Sequence, residues 1–374
     1  MSRSQQFPIC GFVPPYVLEA IAASDLVAEE SQKACRDTLK YINSRAEHDH
    51  GISGLAQTST AQGQQPLVEA PVGANQGSQT SLRRMIYDCK DTASRPGTLA
   101  RSEGDSRVKD RQINNCYDGF KITHDFYSRV FGRNSLDNAG LVLIGSVHFK
   151  PDTQSTGLNN AFWDGRAKQM VFGDGDHISF DYFTDSLDVI AHELGHGFVQ
   201  HSSPLLYEWQ SGALNESCAD VFGAMVEQWH MRQTVEDADW NIGQTLFPVA
   251  FTGSALRTLK AGKAYIDDPV FGTDRQPKHM KDLYTGDDDR RGVHRNSGIP
   301  NHAFYLAAKA IGGNSWDKAG KVWYKTMTSG KIPYTCDFET FANVTVEIAA
   351  KEFGGSVEKA IRDAWVKVGV LSQL

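Results

Sequence analysis

Apolar side chains recur at helical spacing early in the chain. Val17, Leu18 and Ile21 form one stripe, Leu39 and Ile42 another, so residues 16–45 read as helices. The pattern then stops. From Gly51 to Ser81, Gly, Gln, Ser and Thr supply 18 of 31 residues, and Glu69 is the only charge. Such a stretch has too little apolar surface to offset its ordering entropy, so it reads as a junction between a small N-terminal module and the main body. Residues 84–180 alternate short β-rich runs (Leu141 to Phe149 is the longest) with polar turns, and a helical stretch lies near 120–131. From Leu187 onward the spacing is helical, with stripes at 187–201, 214–231, 300–311, 315–329, 337–352 and 356–368. The order is a helical module, a linker, an α+β lobe and a mainly helical lobe.

Length and composition add exclusions. At 374 residues, the chain has room for roughly two or three domains of about 150 residues. With 45 acidic residues against 38 Lys and Arg, the net charge of −7 lacks the basic footprint of a nucleic-acid binder. No run approaches the ~20 apolar residues of a membrane helix. The first residues lack the apolar core of a secretory signal, and Pro8, Pro14 and Pro15 would interrupt one. The protein therefore either stays in the cytoplasm or is secreted by a route that reads no such signal. Six scattered Cys show no C-x-x-C spacing, which points to neither a zinc knuckle nor a redox motif.

The chemistry concentrates in Asp188–Val199, where His192-Glu193-Leu194-Gly195-His196 fits H-E-x-x-H inside a helical apolar pattern. Residues i and i+4 share a helix face about 6 Å apart, so both imidazoles can grip one ion. Glu193, one step round from His192, reaches a water at that ion rather than the ion itself. Neutral imidazole suits zinc, which in catalytic sites takes three protein ligands. Alone, the pattern also fits a helix with two His on a polar face. A second helix decides for a metal: after the turn-rich His201–Pro204, the run Ser211–Gly223 places Glu216 twenty residues beyond His196, with Asp220 one turn further on the same face. That is room for an antiparallel return carrying a third ligand and a carboxylate to orient a ligand His.

These motifs, with Asn159–Gly165, Phe172–Asp176 and Gly292–Gly298, resemble the thermolysin-like neutral metallopeptidases from about Arg84 to the C-terminus. Pro14-Pro15-Tyr16-Val17-Leu18 is similar to the short propeptide of the protealysin-like subgroup. The resemblance implies an α+β, two-lobed zincin: a propeptide-like module at 1–50, a linker and processing junction at 51–81, an N-terminal lobe with the zinc helix at 82–200, and a mainly α-helical lobe at 201–374. It implies His192, His196 and Glu216 as ligands of one catalytic zinc, and Glu193 as the carboxylate that shuttles the proton. Asp220 and Asn215 would orient His192 and His196. Tyr207 and His294 would stabilise the oxyanion, with Asp289 orienting His294. Asn160, Ala161 and Arg257 would bind substrate backbone. Phe180, Phe183, Val189, Ile242 and Leu256 would line the pocket for the residue after the scissile bond, which implies cleavage before bulky hydrophobic residues. The expected partners are peptide substrates and the chain's own pro-region, the expected state a monomer.

Two departures from the family stand out. Arg290 and Arg291 follow Asp289, and two cations there should lower the pKa of His294 and disturb its contact with Asp289. Asp188, Glu227 and Asp239 match a calcium cluster, but Asn241 and Gln244 replace two further acids, which implies at most one calcium. The leading reading is a zinc endopeptidase made as a zymogen. Its rival is a catalytically weak or inactive zinc-binding protein whose pro-module stays bound and mediates inhibition or interaction. An exopeptidase would need a feature that captures a chain terminus, and the sequence offers none.

Overall fold

The computed structural model describes residues 9–51, 82–152, 157–248, 251–260 and 263–373. The linker expected at 51–81 lies, apart from Gly51, outside the described residues. In chain order the elements are β1 (Cys10–Gly11), α1 (Pro15–Ala22), α2 (Glu29–Gly51), β2 (Arg84–Thr92), β3 (Thr98–Ser102), α3 (Arg111–Phe131), β4 (Leu143–Phe149), β5 (Ala161–Asp164) and β6 (Gln169–Phe172). Then follow α4 (Leu187–Ser202), α5 (Trp209–Met231), β7 (Asn241–Ile242), β8 (Arg257–Thr258) and α6 (Asp288–Asn296). The chain closes with α7 (Gly298–Ile311), α8 (Ala319–Met327), α9 (Phe338–Phe353) and α10 (Gly355–Lys367).

Six strands form one mixed sheet in the order β1-β5-β6-β4-β2-β3. The two-residue strand from the N-terminal module pairs antiparallel with β5, Cys10 facing Trp163 and Gly11 facing Phe162. The module is thus stitched into the edge of the sheet beside the metal-motif helix. Its α2 docks through side chains one turn apart. Ser31 donates to Asp176, the Asn159 side-chain amide donates to Cys35 Sγ at 3.3 Å, and the Asn159 backbone N–H donates to Thr38 Oγ1 at 2.9 Å.

Helix α3 runs longer than its apolar stripe foretells, because its first turns carry polar residues that are buried and bonded. Asp110 caps it by accepting the N–H groups of Gln112 and Ile113, while Gln112 accepts from Thr184. Helices α4 and α5 cross so tightly that a Cβ on Gly195 would meet the Ala219 Cα at 3.0 Å. Only glycine allows the approach that brings the two ligand-bearing faces together.

His148 on β4 binds α3 to the sheet. Its Nδ1 lies 2.7 Å from Asp174 and its Nε2 3.0 Å from Asp110, and the Asp174 hydrogen bond leads the effects that raise its pKa to about 9. A raised histidine pKa contributes stability that is full below its unfolded value near 6.5 and is lost as pH climbs through 9. The wild-type melting temperature should therefore fall from pH 6.5 to 9.5 by more than that of His148→Gln. Parallel melting curves over that range would remove His148 from the account.

Candidate metal centre and active site

Helix α4 projects His192, Glu193 and His196 from one buried face toward Glu216 on α5. The two Nε2 atoms lie 3.1 Å apart. Glu216 Oε2 lies 3.6 Å from His192 Nε2, and Glu216 Oε1 lies 3.4 Å from His196 Nε2. Behind the rings, His192 Nδ1 is 2.8 Å from Asp220 Oδ1 and His196 Nδ1 is 2.9 Å from Asn215 Oδ1. Both Nδ1 atoms meet acceptors, so the protons sit there and the Nε2 lone pairs face each other. Burial holds both imidazoles near pKa 4 and hence neutral. Two facing lone pairs and a carboxylate, all buried, need a cation between them. Neutral nitrogen donors with one carboxylate suit zinc.

Glu193 is fully buried, and no side chain pairs with its carboxylate among the described residues; the Trp163 backbone is its one polar support. Burial, and next the charge of Glu216, push its pKa well above the carboxylate range. Tyr207 donates to Glu216 Oε1 and lies 3.3 Å from His294 Nε2. His294 Nδ1 sits 2.5 Å from Asp289 Oδ1, whose other oxygen accepts the His294 and Arg295 backbone N–H groups at 2.9 and 3.1 Å.

The effect expected of Arg290 and Arg291 is reversed. Burial would lower the pKa of His294, but Glu216 and Asp289 outweigh it and raise it to about 9. Residues Asp289 to Gly292 wind with positive φ, from 47° to 86°, and both guanidinium groups on that left-handed turn stack over aromatic rings. Arg290 lies over the Tyr207 ring at 5.6 Å, Arg291 over the Trp209 ring at 4.8 Å. The Asp289 contact is intact.

Asp220 gathers more partners than the sequence shows. Besides His192 it accepts from Arg257 at 3.0 to 3.3 Å and from Asn301 at 2.9 Å. Against the cost of burial, Arg257 and then His192 hold its carboxyl far below the ordinary range. Asn301 on α7 escaped sequence reasoning, since no spacing ties it to the metal motif.

The five apolar pocket candidates, Phe180, Phe183, Val189, Ile242 and Leu256, are all buried in the main core, and the ring of Phe12 from the N-terminal module reaches the Gly243 backbone beside Ile242. Phe12 is fully buried, its ring edge-on to His192 with centroids 5.0 Å apart. The backbone around it is held by the substrate-binding candidates. Phe12 N–H donates to Ala161 O at 3.0 Å, and Arg257 Nη1 donates to Phe12 O at 2.8 Å. Asn160 grips both polar groups of Val13 at 2.9 and 3.1 Å. His294 Nε2 lies 2.9 Å from Gly11 O. Gly11, Phe12 and Val13 were not legible as site residues. The only signal is a bulky apolar residue just before Pro14-Pro15.

Of the three calcium candidates, Asp188 already accepts from Ser186, Val189 N–H and Gly243 N–H. Burial, with Asp188 and Asp239 nearby, raises Glu227 to about 8.

The family model described as "Thermolysin metallopeptidase, catalytic domain" matches residues 72–200, and "Thermolysin metallopeptidase, alpha-helical domain" matches 203–370. The chain is 42% identical to an extracellular metalloprotease of Pectobacterium carotovorum over 97% of both chains. It is 32% identical to thermolysin of Alicyclobacillus acidocaldarius, over 76% of this chain and 50% of that one. The solved precursor of protealysin from Serratia proteamaculans superposes with a TM-score of 0.80 at 39% identity, covering 97% of this chain and 100% of that one. The chain belongs to the thermolysin family of metallopeptidases, in its protealysin-like subgroup, and is a metalloendopeptidase whose family implies a catalytic zinc.

Proposed function

We propose that this chain is the zymogen of a zinc endopeptidase that hydrolyses peptide bonds before bulky hydrophobic residues. The observation that carries the reading is Phe12: the N-terminal module lays a bulky apolar ring beside the metal motif, and its backbone satisfies every polar group expected to bind substrate. In this reading His192, His196 and Glu216 hold the zinc, with Asp220 and Asn215 fixing the two imidazoles. Zinc, when bound, supplies Lewis acidity and makes water acidic enough to act as a nucleophile near neutral pH. Glu193 takes the proton of the attacking water and delivers it to the departing amine. Tyr207 and His294 donate to the oxyanion, each worth about 3 kcal/mol, with Asp289 keeping His294 oriented. Arg257, Asn160 and Ala161 fix the substrate backbone as an added strand on β5.

The rival reading, a zinc protein kept silent by its own module, draws on the same occupied cleft. Its catalytic groups are nonetheless all present and in reach of each other, which favours turnover once the module leaves. The module (1–50), the junction and the two lobes are the divisions this reading uses. The name of the extracellular relative supports secretion, by a route that reads no recognisable signal peptide. The crowded Asp188 carboxylate supports at most one calcium ion, held by Asp188, Glu227 and Asp239.

A peptide library tests the reading. Cleavage should concentrate before Phe, Leu and similar residues, and a zinc chelator should abolish it. A calcium chelator with zinc kept saturating should leave it nearly unchanged. Cuts before charged residues, or insensitivity to zinc removal, would overturn the assignment.

A further inference from the structure

The module does more than cover the cleft: it lies in the direction and register of a substrate. Gly11 O is at the oxyanion donor His294, so Gly11 occupies the position before the bond to be cut. Phe12, the next residue, sets its buried ring against His192 and Gly243, beside the pocket candidate Ile242, and its carbonyl on Arg257. Val13 is clamped by Asn160 as the second residue on the amine side. A reversed or slipped strand would break this agreement, because each contact fixes the same one bond. We propose that Gly11–Phe12 is itself a bond the enzyme cleaves in its own chain, a processing site distinct from the 51–81 junction; this rests on the zymogen reading above.

The step is hydrolysis. Water adds to the Gly11 carbonyl carbon, the Gly11–Phe12 C–N bond breaks, and the proton removed from water passes to the Phe12 nitrogen. Gly11 ends as a carboxylate and Phe12 as a free amine.

The two products differ in how they are held. Phe12 onward continues through Pro14-Pro15 into α1, whose Tyr16, Val17, Leu18 and Ile21 are buried, and into α2 with its bonds to Asp176 and Asn159. The described part of the other product has the short β1 pairing, half-buried Ile9 and the Gly11 contact with His294, with no buried helix behind it, and a cavity of about 230 Å3 flanks Gly11 beside Tyr207 and His294. The peptide Met1–Gly11 therefore leaves, while residues from Phe12 on stay in the cleft. The cut removes the N-terminal peptide yet leaves a product seated in the site, so it trims the zymogen without activating it.

The test uses the full chain incubated with zinc and followed by intact mass and N-terminal sequencing. The expected result is release of Met1–Gly11 and a new Phe12 N-terminus on protein that still retains the rest of its module. Glu193→Gln should stop the release, and Phe12→Ala should slow it by about 10- to 100-fold, the loss expected from an emptied apolar pocket. A second readout is independent of turnover: amide exchange in the metal-free Glu193→Gln chain should be slow at Phe12 and Val13, and fast at both once Phe12→Ala is added. If Gly11–Phe12 stays intact while matured protein from the same preparation cleaves an added peptide before Phe, the proposal falls and the peptidase reading stands. If neither is cut, both fall. Cleavage at another bond between residues 9 and 15, or exchange protection at other residues of that stretch, would show a different register and also overturn it.

Discussion

Glu193→Gln should bind zinc as tightly as the wild type and hydrolyse no peptide at a measurable rate. The Glu193 carboxylate is fully enclosed, and among the described residues no side-chain hydrogen bond or salt bridge competes for it. An unpaired buried carboxylate costs several kcal/mol to keep charged, so a fold retains one only where it has work to do. One residue along the helix from His192, it faces the metal position without being needed to complete the three-ligand set. Glutamine preserves the shape and removes the basicity. General base and acid roles each contribute roughly 10²–10⁴-fold, and one group serving both in turn should cost at least about 10³ in kcat/KM. Zinc content by mass spectrometry, peptide hydrolysis and the melting temperature separate the outcomes. Retained hydrolysis would remove Glu193 from the mechanism, and lost zinc would recast it as a ligand. Since the substitution also removes a desolvation penalty, the variant should melt no lower than the wild type.

The metal site was legible in the sequence because its information is local. The interval from His192 to His196 and that from Glu216 to Asp220 are single helical turns, and the helical period alone fixes which side chains share a face. The C-terminal helices were legible for the same reason: their stripes face one another, as where Trp323 stacks on Trp365. What escaped was set by contacts between distant segments. Helix α3 looked shorter than it is because Gln112 and Asn114 are buried as hydrogen-bonded polar groups, which interrupts an apolar stripe without interrupting the helix. Arg290 and Arg291 were misjudged because charge and chain proximity say nothing of direction, and a run of positive-φ residues without glycine at its start has no sequence signature. Phe12 was invisible as a site residue because a two-residue strand carries no periodicity, and its meaning comes entirely from β5 and the groups beyond it.

Asp220→Asn should be the most damaging single substitution for stability, and should weaken zinc binding as well. Asp220 is fully buried and is the counter-charge of Arg257, itself almost wholly enclosed; no other carboxylate makes a salt bridge to that guanidinium among the described residues. Removing one member of a buried pair leaves an uncompensated charge, which costs about 3–5 kcal/mol. For a protein of this size that corresponds to a fall of roughly 4–6 °C in melting temperature. The same change replaces the charged acceptor of the His192 Nδ1 proton by a neutral amide oxygen, and weakening such a partner typically costs 10- to 100-fold in metal affinity. The two effects can be separated with Arg257→Met. Added to Asp220→Asn, it eliminates the stranded charge and should recover much of the melting temperature, because an apolar group of similar volume can replace a buried ion pair at little cost. It should not recover zinc affinity, since His192 still lacks its charged acceptor, and hydrolysis should stay low because Arg257 also binds the substrate carbonyl. Melting curves and zinc titrations on the wild type, both single variants and the double variant complete the cycle. If the double variant melted as low as Asp220→Asn alone, the stranded charge would not be the cause. If Asp220→Asn kept full zinc affinity, the imidazole would be oriented by something other than its carboxylate.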